Sequence, residues 1–207
     1  MKIILIGDSG HGKVIADNIV SMGNHVVAKL DDKYTELIKE ENCWIGPVSE
    51  VHVLIEQERA KVVVAIGSNR VRQKVVRRLS LGAEQYATII HKEAIISPSA
   101  VIGNGTVVMP GVIVNAAASI GNHAILNTGA VVEHDCEVRD YAHISPGAIL
   151  TGGVEIGEGA HIGAGATVIP LKKIGQWSVV GAGSVILDHI GELSTAVGIP
   201  ARILKRK

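Results

Sequence analysis

The chain has 207 residues, room for one large domain or two small ones, and its 20 Lys plus Arg balance 20 Asp plus Glu. Zero formal net charge leaves no long-range field to recruit nucleic acid or an anionic membrane, and no apolar run reaches the length of a bilayer span. The apolar run "IILI" at 3–6 is too short for a signal sequence, and Cys43 and Cys136 make no disulfide framework, so the expected location is the cytoplasm.

A strand is expected over 2–6, followed at 7–14 by "GDSGHGKV". That stretch misses a nucleoside-triphosphate loop, because Val14 stands where a hydroxyl would hold Mg²⁺. It also misses the dinucleotide fingerprint, because its glycines fall at Gly7, Gly10 and Gly12. A helix over 12–21 begins there, and the N–H groups of Gly10 to Lys13 are placed to meet a phosphate or a polar sugar edge. A tight turn with no ligand would read the same way. The next strand, over 25–30, ends at Asp31 and Asp32, acids suited to hydroxyls or ring N–H donors; a nicotinamide cofactor would ask for the same acid. A helix over 47–59, a strand over 62–66, "GSN" at 67–69, a helix over 70–80 and a strand over 86–90 complete an α/β Rossmann-like domain across 1–88. Its ligands should lie beyond the carboxyl ends of the strands.

From Ile90 to Ile186 every sixth residue is Ile, Leu or Val. The residue two before is usually small, as at Ala118, Ala124, Ala130 and Cys136, and the residue three after is often Gly. In a strand those large and small groups share a face, while glycine in the turn tolerates positive φ. Three flat faces of six residues close a coil of eighteen, and coils stack about 4.8 Å apart. Low aromatic content, 2% with no Phe, fits a narrow interior repeated many times. Residues 89–207 therefore read as a parallel β-helix built on hexapeptide repeats.

Histidines on this rod separate by position. His123 falls in a turn, whereas His143 and His161 precede inward aliphatics and should stack, pointing outward, in consecutive coils. His134 sits in a turn between Glu133 and Asp135, and a carboxylate beside an imidazole fixes its tautomer and raises its basicity. Gly152, one coil further, would let a thioester approach and offers an N–H to a developing oxyanion. Cys136 points inward and reads as core rather than nucleophile.

"GDSGHGKV", "LDD", "VVVAIGSNRVRQKV", the hexapeptide run, "EHDCEV" with "AHISPGA" and the closing "GIPAR" together resemble the sialic-acid O-acetyltransferase and bacillosamine N-acetyltransferase family, its exopolysaccharide branch above all. The resemblance implies a left-handed β-helix and a front domain that holds a nucleotide-activated amino sugar, lined by Ser9, Gly10, His11, Asp31, Asp32 and Gly67. It implies acetyl-CoA held between the rods of a homotrimer, with contacts from His143, Gly152, Ala164 and Ala182. His134 would be the proton acceptor and Asp135 its partner; some relatives carry Glu there, which leaves Glu133 as the alternative. The expected activity is acetylation of the amine of a UDP-linked amino sugar in surface-glycan or exopolysaccharide synthesis, with no bound metal. A sugar hydroxyl is the alternative acceptor. A γ-class carbonic anhydrase and a non-catalytic sugar-nucleotide scaffold are the rivals, the former needing imidazoles that one chain, with His134 and His143 half a coil apart, does not bring together.

Overall fold

The computed structural model describes residues 1–204 and divides into two compact units, residues 1–92 and the chain from 93 on. The last three residues of the expected 89–207 domain lie outside the described residues.

In the first unit β1 (Lys2–Ile6) has a parallel neighbour on either side, and Ile3, Ile4, Leu5 and Ile6 are each no more than 1% exposed. An uninterrupted apolar run suits a parallel strand covered on both faces. Around it lie α1 (Gly10–Ser21), β2 (His25–Leu30), β3 (Ile38–Glu40), β4 (Cys43–Gly46), α2 (Val51–Glu58), β5 (Lys61–Val64) and α3 (Asn69–Leu79). The sheet order is β3-β4-β2-β1-β5, parallel except for the β3–β4 hairpin. That hairpin is absent from the sequence-based reading. All three residues of β3 are exposed, so no buried alternation marks it, and short charged strands are the usual way to blunt a sheet edge. Of the strand expected over 86–90 only Ile89–Ile90 is a strand, and it is not a member of this sheet. A 3₁₀ turn at Ala83–Gln85 leaves only Tyr86 in register, bridged to Val62.

In the second unit each strand has two residues in a hexad, and each pairs with the strand one coil away. Ile113 stands beside Ile95 and Val131, Ser119 beside Val101 and Glu137, and Ile125 beside Val107 and His143. Three parallel ladders result, and the fold is a left-handed β-helix. The third ladder ends in an antiparallel hairpin, Thr195–Gly198 with Ala201–Ile203. Val114, Leu126, Val132, Ile144, Leu150, Ile156, Ile162 and Val168 are fully buried, with Ala124, Ala130, Ala142 and Ala148 beside them. Each buried aliphatic contributes about 1.5–3 kcal/mol. Ile96 and Ile102 are only half-buried, because their coil is the first in its ladders.

From Gly105 to Gly183 every turn between ladders passes through the left-handed region. The corner after the first ladder uses Ala117, Asp135, Gly153 and Leu171; the corner after the second includes His123, Tyr141 and Trp177. The corner after the third uses glycine alone, at Gly111, Gly129, Gly147, Gly165 and Gly183. A non-glycine residue there costs about 1–2 kcal/mol, and the first two corners bear that cost.

Candidate active site

His134 projects from the first corner. Its Nδ1 lies 2.8 Å from Asp135 Oδ2, with both side chains well exposed. Asp135 holds φ +59°, a conformation that Asp tolerates better than most residues, and this turn aims its carboxylate at the neighbouring ring. The hydrogen bond to Asp135 raises the His134 pKa; the Asp135 and Glu133 charges add to it and desolvation opposes it. With Nδ1–H donating to the carboxylate, Nε2 of the neutral ring carries the lone pair. Among the described residues it is Asp135, not Glu133, that bonds the imidazole.

The ring lies over the next coil at Gly152. A Cβ on Gly152 would stand 2.7 Å from both Cε1 and Nε2 of His134, so only glycine admits this placement. The His134 carbonyl accepts from Gly153 N–H at 2.9 Å, which ties the two coils together at this point. Gly152 N–H has no acceptor among the described residues. The corner thus places a basic nitrogen and an uncommitted backbone donor side by side.

His143 differs from expectation. It stacks on His161 as the spacing requires, in paired register with ring centroids 4.8 Å apart, but it is only 8% exposed rather than open to solvent. Its Nε2 lies 3.0 Å from Asn127 Nδ2, and His161 Nε2 lies 2.9 Å from Ser145 Oγ. Ala164 and Ala182 are exposed on the third corner, near this face and away from His134. The rod residues therefore form two groups, His134, Asp135 and Gly152 at one corner and His143, Ala164 and Ala182 toward another. The third corner is bare: a Cβ on Gly129, Gly147, Gly165 or Gly183 would meet nothing within 4 Å. Cys136 is 1% exposed with Sγ 3.1 Å from the Thr151 carbonyl, and burial pushes its thiol pKa up.

In the first unit the glycines of "GDSGHGKV" divide by task. Gly7 has φ +105°, and a Cβ on Gly12 would stand 2.6 Å from the Gly7 carbonyl oxygen, so this pair serves the turn itself. Gly10 and Gly67 face open space. Helix α1 starts at Gly10, two residues earlier than expected, and Ser9 ahead of it makes no side-chain capping bond. Asp31 is committed to structure: its carboxylate accepts from Asp8 N–H at 2.9 Å and Lys33 N–H at 3.1 Å. Asp32 instead reaches Arg78 at 2.8 Å. A cavity of about 320 Å³ has Ile6, Ile66 and Val75 in its wall and Ser9, Asp31, Asp32 and Arg78 as its polar groups. Gly10, His11 and Gly67 do not line it. His11 is mostly buried, and that burial, with Arg72 nearby, lowers its pKa. Arg78, Tyr34 and Asp8 escaped the sequence reading. Tyr34 O–H donates to Asp8 at 2.5 Å, the main reason the Asp8 pKa is lowered. Arg78 meets Asp32 across 46 residues of chain, a pairing no local pattern announces.

Among the described residues no helix is long and apolar enough to cross a membrane, and no group of three or more His, Cys, Asp or Glu side chains is placed to hold a metal. A Rossmann-like unit followed by a left-handed rod defines the class of hexapeptide-repeat acyltransferases. The PglD N-terminal domain matches residues 2–79, and the bacterial transferase hexapeptide (six repeats) matches 135–170. Perosamine N-acetyltransferase of Caulobacter crescentus, solved as a histidine-to-asparagine variant with CoA and GDP-perosamine, is 37% identical over 100% of this chain and 98% of its own, with TM-score 0.91. The acetyltransferase domain of PglB from Neisseria gonorrhoeae FA1090, in complex with acetyl coenzyme A, is 35% identical over 98% of each chain, with TM-score 0.87. A UDP-N-acetylbacillosamine N-acetyltransferase of Bacillus subtilis (strain 168) is 47% identical over 112 residues, 52% of this chain and 51% of that protein. The aligned part thus spans about half the length of that curated relative. The chain belongs to the PglD-like family of amino-sugar N-acetyltransferases.

Proposed function

We propose that the chain transfers the acetyl group of acetyl-CoA directly to the amine of a UDP-linked amino sugar. The observation that carries this is the His134–Asp135 pair lying over Gly152. His134 Nε2 accepts the proton that the amine loses as its nitrogen bonds to the thioester carbonyl, and Asp135 steadies the imidazolium. Gly152 N–H stabilises the oxyanion. As the C–S bond breaks, His134 returns the proton to the departing thiolate.

The cavity at Asp32 and Arg78 is assigned to the sugar nucleotide, and the bare third corner with His143, Ala164 and Ala182 to the coenzyme. One chain keeps its two rod groups at different corners, so the complete site needs the third corner of a neighbouring rod, and a homotrimer is the assembly proposed. A reaction that draws on acetyl-CoA and nucleotide sugars is assigned here to the cytoplasm and to surface-glycan synthesis. The test is mass spectrometry of products from acetyl-CoA and a panel of UDP-amino sugars. A sugar nucleotide gaining one acetyl group that resists mild base is expected; base-labile products throughout would show esters and move the reading to O-transfer.

A further inference from the structure

Asn127 and Ser145 hold equivalent places in consecutive coils, each directly after an inward aliphatic, and each bonds the imidazole sixteen residues further on. The two bonds differ in what they dictate. A hydroxyl both donates and accepts, so Ser145 leaves His161 free to choose its tautomer. An amide cannot, once its two ends are known. Asn127 Oδ1 accepts the Thr128 backbone N–H at 2.9 Å, and a backbone N–H can only donate. The oxygen end is thereby assigned, and the NH₂ end is the one that faces His143 Nε2 at 3.0 Å. An NH₂ group has only hydrogens to offer, so Nε2 must present its lone pair.

From this geometry we infer that Asn127 is a positioning residue that holds His143 as the neutral Nδ1–H tautomer. A protonated ring would set N–H against N–H at a site only 8% exposed, where water does little to relieve the clash. His143 is therefore not a second base. It presents a ring of fixed orientation and fixed dipole on the coenzyme side of the rod, an assignment that rests on the proposed function.

The test uses three variants of the 207-residue chain with ¹⁵N-labelled histidine, one of them His143→Gln, whose lost signals assign His143. Wild type should show a proton on Nδ1 and none on Nε2. Asn127→Asp replaces the donor by an acceptor of nearly the same shape and should move the proton to Nε2. Asn127→Ser should give a mixture of tautomers. Acetyl-CoA affinity, measured by calorimetry without any sugar, should fall about tenfold in Asn127→Asp and less in Asn127→Ser. A wild-type proton on Nε2, or an Asn127→Asp pattern identical to wild type, overturns the inference. A tautomer that moves as stated with acetyl-CoA affinity unchanged leaves the lock standing and overturns the seating of the coenzyme at this corner.

Discussion

At the scale of single residues, the two acids after β2 show how far a sequence can be read. Asp31 and Asp32 are indistinguishable in "LDD", yet Asp31 is spent on the backbone N–H groups of Asp8 and Lys33 while Asp32 pairs with Arg78. Asp31→Ala should therefore strand the part-buried Asp8 N–H, the exposed Lys33 N–H turning to water, and destabilise the protein by about 1 kcal/mol. Asp32→Ala should leave the melting temperature near wild type and raise KM for the sugar nucleotide alone; thermal denaturation beside steady-state kinetics separates the two. His134 could be singled out in the sequence because it is the rod imidazole with a carboxylate on both sides. What was not legible is that Asp135 rather than Glu133 makes the bond, since the left-handed turn decides it. His134→Ala should lower kcat by about 10² to 10⁴ with both KM values little changed. The sign of the pH effect follows from the raised pKa. The base works when neutral, so kcat/KM should fall as pH drops through a value above the 6.5 of an ordinary imidazole. Asp135→Asn should move that limb back toward 6.5 by removing the bond that raises it. An acid limb that does not move would show that Asp135 is not what sets the basicity.

At the scale of elements, glycine carries two different messages that sequence alone does not separate. Gly12 lets α1 close against the Gly7 carbonyl, whereas Gly10 beside it faces open space. Gly12→Val should unfold the first unit, while Gly10→Val should fold normally; circular dichroism on the pair decides it. Gly152 lacks the positive φ of Gly153, so its bare backbone answers only to the His134 ring. Gly152→Ala should keep the rod intact and displace that ring, with kcat falling on the order of 10²-fold. Equal loss of stability and activity would make Gly152 a packing residue. The hexads were readable because each one from Val108 to Ile186 buries its aliphatic. The β3–β4 hairpin was not, since a strand with no buried face leaves no periodicity to find.

At the scale of the molecule, the three faces of the rod are chemically unequal. Outward residues of the first ladder are Ile95, Ile113, Val131, Ile149, Thr167 and Val185, and Ile95 and Ile149 are 65% and 38% exposed. The second ladder instead presents Val101 and Ser119 and then Glu137, Glu155 and Lys173, with Glu155 and Lys173 paired at 2.8 Å. An apolar face of that length is expected to be covered, and the charged one to remain in water. Sedimentation at micromolar concentration should give three times the chain mass. Val131→Glu should yield monomers that bind sugar nucleotide but transfer no acetyl group. A monomeric wild type with full activity would place the whole site on one chain.

The one-coil register has a consequence for changes in chain length. Because each strand bonds to the strand eighteen residues away, removing residues 103–120, a coil that carries none of the candidate site residues, excises a unit that its neighbours can replace without rotation. Removing six residues is a different edit. It keeps every later aliphatic pointing inward but turns all that follows onto the next face, carrying Ala182 to another corner. Both shortened proteins should keep a closed core and melt cooperatively. Calorimetry with acetyl-CoA should detect binding only where the corner is conserved, so that length in this rod is counted in eighteens for function and in sixes for folding.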